Sequence, residues 1–172
     1  MIRLNPGKVF EEQVKKSIPK YALLHRLHDS AQSFGGNSDL RFSSKNPFDY
    51  LLWDSQRRYL YALELKTVKG KSIGFERTKE EQSEIHYHQI VGLNKVAEFD
   101  NTICGFIIEF RALEKTVFIE IHDFNKLIDK IPKKSFTYDD LVKYGIPYFV
   151  IPQKKKRVRY TYDIDSLLSQ RN

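Results

Sequence analysis

The sequence predicts a single α/β domain in which helices flank a mixed central sheet. Segments with helical spacing of apolar residues alternate with short apolar runs of strand length. The predicted order is helix, strand, long polar loop, two strands, helix, two strands and a final helical region. The chain has 172 residues, of which 41% are hydrophobic, and this suffices for one core. We therefore expect residues 1–172 to form one domain.

The first predicted helix has a clear start and a clear end. Asn5 is a suitable N-cap, and Pro6 stands at the first helical position, where its missing N–H is tolerated. Apolar residues recur every fourth position from Phe10, which predicts one buried helix face. Pro19 ends the helix, and residues 21–27 then have the composition of a strand.

The middle of the chain predicts a polar protrusion followed by a hairpin. Residues 29–46 are rich in serine, glycine and asparagine, and we expect them to form a protruding loop or a short stalk. Two apolar runs, 48–53 and 59–66, follow and are separated by a polar turn, as in a β-hairpin. Residues 68–78 are rich in glycine and lysine and are predicted to form a loop.

A second helix and several shorter elements are predicted in the rest of the chain. The helix covers residues 79–100, and Gln89 shares its inward face with Ile85, Leu93 and Val96. The remaining predicted elements are strands over 103–110 and 116–121, short helices over 123–131 and 137–144, and a short strand over 148–151.

The net charge of +7 is confined to one stretch of the chain. Residues 126–159 contain ten Lys and Arg and three Asp, whereas the rest of the chain carries 19 residues of each sign. A localised basic segment beside tyrosines is typical of a surface that binds a polyanion, although a lysine run can also be a solvated loop. The candidate DNA-binding residues are Lys154, Lys155, Lys156, Arg157 and Arg159, together with Arg41 and Lys45 from the predicted protrusion.

The cysteine count and the hydropathy pattern favour a cytoplasmic protein without membrane contact. The single cysteine, Cys104, cannot form an internal disulfide and lies in an apolar run where packing is its expected role. No apolar run approaches the roughly 20 residues that cross a bilayer. The first residues lack the apolar core of a signal peptide.

The strongest chemical signal is an aspartate before one strand of the hairpin and a Glu-Leu-Lys sequence in the next strand. Glu64 and Lys66 project from the same side of their strand, and antiparallel pairing can bring Asp49 back to Glu64. Two carboxylates beside a lysine can bind a hard divalent cation such as Mg²⁺, while the lysine stabilises phosphate charge. The alternative is an exposed strand face with a simple Glu–Lys pair.

Two further polar residues extend this candidate site. Glu11 lies in the first helix, one position round from its apolar face, and Gln89 interrupts the apolar face of the second helix. A buried glutamine needs a partner, and a metal ion or its bound water would be one. Glu11 can equally be a solvated helix charge, and Gln89 can bond to a backbone carbonyl.

Several motifs together resemble the PD-(D/E)xK nuclease superfamily, and more closely the RecU family of Holliday junction resolvases. The resemblance covers most of residues 5–125. The matching stretches are Asn5-Pro6-Gly7-Lys8-Val9-Phe10-Glu11-Glu12, Pro47-Phe48-Asp49-Tyr50, Ala62-Leu63-Glu64-Leu65-Lys66-Thr67, His88-Gln89-Ile90-Val91-Gly92-Leu93 and Gly105-Phe106-Ile107-Ile108-Glu109-Phe110.

This resemblance implies a restriction-endonuclease-like fold and a magnesium-dependent endonuclease, with Mn²⁺ as a substitute, that resolves four-way DNA junctions by paired nicks. It implies metal ligation by Asp49, Glu64 and Gln89, a catalytic Lys66 and an auxiliary catalytic acid at Glu11. It further implies a homodimer, because two symmetric nicks need two sites related by a two-fold axis. Recombination proteins are further candidate partners.

The sequence departs from the family pattern in three places. Pro47 replaces the family's threonine, so a water or a backbone carbonyl would have to supply that oxygen. The stalk is short, and the segment between Lys66 and His88 is long, which indicates a divergent member of phage type.

The alternatives are another PD-(D/E)xK DNA endonuclease, of the restriction or repair type, and a non-catalytic DNA-binding module of the same fold. His86 and His88 lie two positions apart in the predicted helix, where they would face different sides and make a poor zinc site.

Overall fold

The structure is a computed structural model that describes residues 5–27, 46–157 and 159–170. In chain order the elements are α1 (Pro6–Lys16), β1 (Ala22–Arg26), β2 (Tyr50–Asp54), β3 (Tyr59–Val68), β4 (Ser72–Gly74), α2 (Tyr87–Val96), β5 (Thr102–Phe110), a short 3-10 turn (Arg111–Leu113), β6 (Lys115–Glu120), α3 (Ile121–Lys130), β7 (Ser135–Thr137), α4 (Tyr138–Lys143), β8 (Phe149–Ile151), β9 (Gln153–Lys156), β10 (Arg159–Tyr162) and α5 (Ile164–Leu168). The predicted protrusion lies outside the described residues except for Asn46.

A six-stranded mixed sheet in the order β1-β2-β3-β5-β6-β8 forms the centre of the domain. Strands β3 and β5 are parallel, and the other neighbouring pairs are antiparallel. Strands β9 and β10 form a separate hairpin, and β4 pairs with β7. The predicted mixed α/β class is therefore confirmed: a mixed central sheet has helices on its two faces.

Alternating residues of β3 serve two different cores. Tyr61 and Leu63 pack with Phe10 of α1 in one core, which α5 completes. Ala62 packs on the other face in a core that includes residues of α2, α3 and α4. Because side chains of a strand alternate between faces, Glu64 and Lys66 lie on the α2 side of the sheet. Among the described residues, no helix is long and apolar enough to cross a membrane.

The first helix has the predicted start and N-cap, and it ends at Lys16, before the predicted end at Pro19. The side chain of Asn5 accepts a hydrogen bond of 2.9 Å from the backbone N–H of Gly7, and Pro6 occupies the first helical position. Phe10 and Val14 are buried on the predicted face. Lys15 and Lys16 lie in the last turn, where cations are favoured beside the unpaired carbonyl groups.

The second predicted helix is shorter than its apolar pattern indicates, and the predicted 68–78 loop contains part of a strand. Helix α2 begins at Tyr87 rather than at residue 79. Ile85 is fully buried, but it forms a bridge with Phe75 in extended backbone before the helix. Within the predicted loop, Ser72–Gly74 pairs with β7 as β4. Ile85 is a buried apolar residue four positions before Gln89, and such a residue fits a helix face and an extended segment equally well. For this reason the sequence pattern placed the start of the helix too early.

The C-terminal region forms a β-hairpin and a short helix that the sequence patterns did not predict. Tyr162 of β10 is buried and its ring contacts that of Phe10 edge-to-face, with centroids 5.4 Å apart. The backbone N–H of Tyr160 donates to the side chain of Gln13 at 3.0 Å. The backbone N–H of Tyr162 donates to the hydroxyl of Ser17, also at 3.0 Å. These contacts attach the lysine-rich hairpin to α1.

Helix α2 packs closely against the chain segment that leads into β2. A Cβ atom added to Gly92 would lie 2.3 Å from the Cβ of Pro47 and 3.0 Å from its carbonyl oxygen. Only glycine permits this approach without displacing the helix or the proline. The contact sets the distance between α2, which carries Gln89, and the segment that carries Asp49.

We predict that Gly92→Ala destabilises the protein, even though alanine is the better helix former. The added methyl group must displace Pro47, and overpacking of this kind costs about 1–3 kcal/mol. Thermal unfolding followed by circular dichroism measures the change. The matched control is Gly70→Ala, because an added Cβ there meets no described heavy atom within 4 Å. Equal melting temperatures for both variants would contradict the close contact.

Candidate active site

The hairpin of β2 and β3 brings Asp49 and Glu64 together, as the sequence predicts. Tyr50, the first residue of β2, pairs with Leu63 of β3. Because the strands are antiparallel, the preceding residue, Asp49, lies opposite Glu64. Asp49 is held there because its Oδ2 accepts a hydrogen bond of 3.0 Å from the backbone N–H of Leu65. The aspartate therefore stands at the start of β2 with its carboxylate turned toward the centre of β3.

Lys66 extends over the same face of β3 and forms an ion pair with Glu64. The distance from its Nζ to Glu64 Oε1 is 3.0 Å, and both side chains are largely removed from solvent. The predicted alternative, an exposed strand face with a Glu–Lys pair, does not describe this site, because Glu64 is only 2% exposed. The pair instead occupies the buried side of the sheet beneath α2.

Gln89 of α2 completes the group around Glu64. Its Nε2 donates a hydrogen bond of 2.5 Å to Glu64 Oε1. Its Oε1 accepts a hydrogen bond of 2.9 Å from the backbone N–H of His86, which is the N-cap of α2. The amide is thus fixed at both ends and positions Glu64, with its nitrogen rather than its oxygen facing the carboxylate. Metal ligation by Gln89 stays a prediction, and it requires the amide to rotate.

The electrostatics of the site favour an additional cation. Burial, together with the negative charge of Asp49, raises the pKa of Glu64 to about 8, and Lys66 opposes this shift. Burial also raises the pKa of Asp49, with a further contribution from the charge of Glu11. Glu64 Oε2 is buried and has no hydrogen-bond partner among the described residues. A buried carboxylate oxygen without a partner is costly, and a bound cation would satisfy it.

The residues present fit a magnesium ion held by a few protein ligands. Among residues 5–27, 46–157 and 159–170, no group of three or more His, Cys, Asp or Glu side chains is arranged to hold a metal. Mg²⁺, however, commonly uses only one or two carboxylates and completes its octahedron with water and substrate phosphates. Asp49 and Glu64 supply two carboxylates of this kind.

Glu11 lies on α1 and contacts partners outside this group. Its Oε2 accepts a hydrogen bond of 3.1 Å from the hydroxyl of Tyr50 and pairs with Arg26 at 3.2 Å. Burial and the nearby Glu11 raise the pKa of Tyr50, so that its hydroxyl remains a donor. The charge of Glu11 acts on Asp49, where it is one cause of the raised pKa. Its role as an auxiliary acid stays a prediction.

Two histidines at the start of α2, His86 and His88, are arranged differently from the prediction. Their rings stack with centroids 5.3 Å apart and an interplanar angle of 16°. The expectation that they face different sides was wrong, because His86 is the extended N-cap and not a helical residue.

His86 Nδ1 lies 2.7 Å from Glu76 Oε1. Glu76 is buried and also accepts from the backbone N–H groups of Ser83 and Tyr87. Sequence patterns missed Glu76 because it lies in the predicted loop.

The basic C-terminal segment forms the hairpin of β9 and β10, and its cations are not equivalent. Lys155 is paired with Glu114 at 2.6 Å, and the hydroxyl of Tyr160 donates to the same carboxylate oxygen. The other predicted DNA-binding residues of this segment are exposed: Lys154, Lys156, Arg157 and Arg159. Arg41 and Lys45 lie outside the described residues.

Comparison with known proteins identifies a relative in sequence and a likeness in structure. No protein-family model matches the chain. A Holliday junction resolvase, Hjc from Archaeoglobus fulgidus, superposes with a TM-score of 0.46 and 10% sequence identity, covering 77% of this chain and 88% of that one. The SPbeta prophage-derived uncharacterized protein YotM of Bacillus subtilis (strain 168) is 32% identical over 177 residues, which span 96% of this chain and 86% of that protein. The chain therefore belongs to the same family as this prophage protein.

Proposed function

We propose that the protein is a magnesium-dependent endonuclease that cleaves branched DNA, with four-way junctions as its preferred substrate. The observation that carries the proposal is the buried group formed by Asp49, Glu64 and Lys66, in which Glu64 Oε2 has no partner among the described residues. Two carboxylates and a lysine on one hairpin supply the ligands and the charge that hydrolysis of a phosphodiester needs. The basic hairpin of β9 and β10 agrees with a role in binding DNA.

Each residue of the site has a distinct task in this proposal. Asp49 and Glu64 would hold the cation, which supplies Lewis-acid chemistry and lowers the pKa of bound water. Lys66 stabilises the negative charge that develops on the phosphate in the transition state. Gln89 keeps Glu64 in position through its hydrogen bond of 2.5 Å. Glu11 adjusts the charge around Asp49 from the neighbouring helix.

Junction resolution would require two copies of this site. Two symmetric nicks are most simply made by a homodimer with a two-fold axis. A duplex-specific endonuclease of the same superfamily shares the chemistry and differs only in substrate. A non-catalytic DNA-binding module has no need for a buried pair of carboxylates beside a lysine. The intact group therefore favours an enzyme.

We predict that Asp49→Asn and Glu64→Gln each abolish nicking of a four-way junction in Mg²⁺ while junction binding in Ca²⁺ survives. Each change removes one charged metal ligand and little volume, so that the fold is preserved. Gel assays of nicking, run with a four-way junction and with linear duplex of the same sequence, measure both activity and preference.

The matched control for these two variants is Glu98→Gln, which neutralises an exposed acid just beyond the C-terminal end of α2. It should nick at the wild-type rate. Near-normal nicking by Glu64→Gln would contradict the assigned site. Equal nicking of junction and duplex by the wild-type protein would leave the chemistry in place and point to the duplex-specific alternative.

Lys66→Gln should lower the rate of nicking by about 10²–10³, because the ammonium group acts on charge that develops only in the transition state. Its affinity for junction DNA in Ca²⁺ should stay within about twofold. Single-turnover kinetics and fluorescence anisotropy separate these two quantities. Lys95→Gln, on α2, serves as a control for the loss of one positive charge. An equal fall in nicking rate and in DNA affinity would show that Lys66 only contacts a phosphate of the bound DNA.

Gln89→Ala should raise the Mg²⁺ concentration for half-maximal nicking by about 10–100-fold, the usual effect of losing a residue that orients a metal ligand. The maximal rate at saturating Mg²⁺ should change less than the half-maximal concentration. A titration of nicking against Mg²⁺ gives both values. An unchanged midpoint would show that Gln89 serves only the N-cap of α2.

A further inference from the structure

A cleft of about 340 Å³ separates α1 from the hairpin of β9 and β10. We name it the helix–hairpin cleft. The residues that define it are the cations Lys8, Lys16, Lys156 and Arg159, the acid Glu12 and the aromatic residue Tyr160. It is separate from the group around Glu64, because no residue of that group lines it.

The cationic side chains of the hairpin lie in two different environments. Lys156 stands opposite Arg159 in the ladder, and both line the cleft. Lys155 stands opposite Tyr160 and is paired with Glu114 at 2.6 Å. A carboxylate therefore offsets Lys155, whereas Lys156 and Arg159 contribute their charge to the cleft.

The electrostatics of the cleft favour an anionic ligand. Glu12 is the one acid among the described residues that line it, and it pairs with Lys16 at 3.1 Å. The bond to Lys16 lowers the pKa of Glu12, and the charges of Lys15 and Arg159 lower it further. Four cations and one acid leave a net charge of +3 in the cleft. Such a concentration of positive charge attracts a polyanion.

The aromatic residue Tyr160 lines the cleft at its border with the surroundings of Lys155, whose Nζ lies 5.6 Å from the centroid of the Tyr160 ring. The backbone N–H of Tyr160 bonds to Gln13 of α1 at 3.0 Å, which fixes this residue against the helix. Its hydroxyl bonds to Glu114 at 2.6 Å, which restrains the ring. A positively charged groove with a fixed aromatic ring is the usual chemistry for an unpaired nucleic acid strand, whose bases stack while the cations follow the phosphates.

The helix–hairpin cleft adjoins a second cleft along α1. The second cleft has a volume of about 520 Å³ and shares Lys8 and Glu12 with the first. It also contains Glu11 and Arg26, which form an ion pair at 3.2 Å. Tyr50 also lines the second cleft, and its hydroxyl donates a hydrogen bond of 3.1 Å to Glu11. Because Tyr50 directly follows Asp49 in the chain, this trough across α1 ends one residue from a candidate metal ligand.

We infer that the helix–hairpin cleft binds an unpaired DNA strand and directs it along α1 toward Asp49. The inference rests on the proposed nuclease function and adds to it a second, single-strand site. Unpaired strand, whose bases are free to stack on an aromatic ring, is available where a branched substrate opens. Binding of duplex in the same cleft is the competing outcome that the experiments below distinguish.

The first experiment measures the affinity of the wild-type protein for a labelled oligothymidine by fluorescence anisotropy, in EDTA so that no strand is cut. The double variant Lys16→Ala, Lys156→Ala should bind more weakly and should reduce the slope of log affinity against log salt by about 1.4, since each lost phosphate contact on single strands contributes about 0.7. Lys95→Ala should match the wild type. An unchanged slope in the double variant would overturn the inference.

The second experiment tests stacking on Tyr160. Tyr160→Leu should weaken oligothymidine binding about tenfold, whereas Tyr160→Phe, which keeps the ring and loses the bond to Glu114, should bind within about twofold of the wild type. Affinity for a blunt duplex of the same length should not separate the two variants. A loss of duplex affinity equal to the loss of single-strand affinity would identify a duplex site instead.

The third experiment predicts a gain, which a folding defect cannot imitate. Glu12→Gln removes the acid from the cleft and frees Lys16, so single-strand affinity should rise about threefold or more at low salt. Unchanged or weaker binding would contradict the inference.

If none of these proteins nicks DNA but the affinities follow the predictions, the nuclease proposal fails and the strand site remains. If nicking is normal but the affinities do not change, the strand site fails and the nuclease proposal remains.

Discussion

The candidate site depends on one arrangement: the carboxylate of Glu64 is buried at the centre of the sheet between Asp49, Lys66 and Gln89. Burial and the charge of Asp49 raise the pKa of Glu64 to about 8 despite the nearby lysine, and one oxygen of Glu64 has no partner among the described residues. Packing alone gives no reason to keep such a group, because replacing a buried ion pair with apolar side chains of similar volume is often neutral or stabilising. A site that binds a divalent cation does give a reason.

The surrounding fold is built to hold this arrangement. Hairpin pairing sets Asp49 opposite Glu64, and the N–H of Leu65 fixes the aspartate. The contact between Gly92 and Pro47 brings α2 close enough for Gln89 to reach across. Pro47 stands where the family resemblance leads one to expect a threonine, and here it contributes packing in place of a side-chain oxygen. Each of these contacts is local. Together they hold the carboxylate of Glu64 in place with residues from three parts of the chain: β3, the segment before β2, and α2.

Local patterns in the sequence predicted the parts of the fold with a strong periodic signal. The first helix, the hairpin and the mixed sheet follow from capping residues, alternation and apolar runs, and the convergence of Asp49, Glu64 and Lys66 follows from the hairpin. The start of α2 did not follow, because buried Ile85 fits a strand and a helix equally well. The C-terminal hairpin was missed because its order comes from contacts with Gln13 and Ser17, which are about 145 residues away along the chain. Glu76 and the stacking of the two histidines depend on the same misplaced helix start.

Binding of Mn²⁺, followed by electron paramagnetic resonance, tests most directly whether Asp49 and Glu64 hold a divalent cation. The signal of free Mn²⁺ should fall as the wild-type protein is added, and Mg²⁺ should restore it by competition. Glu64→Gln should bind no Mn²⁺ at this site, whereas Glu98→Gln should bind as the wild type does. Equal Mn²⁺ binding by wild type and Glu64→Gln would show that the buried carboxylates hold no cation, whatever the activities of the two proteins on DNA.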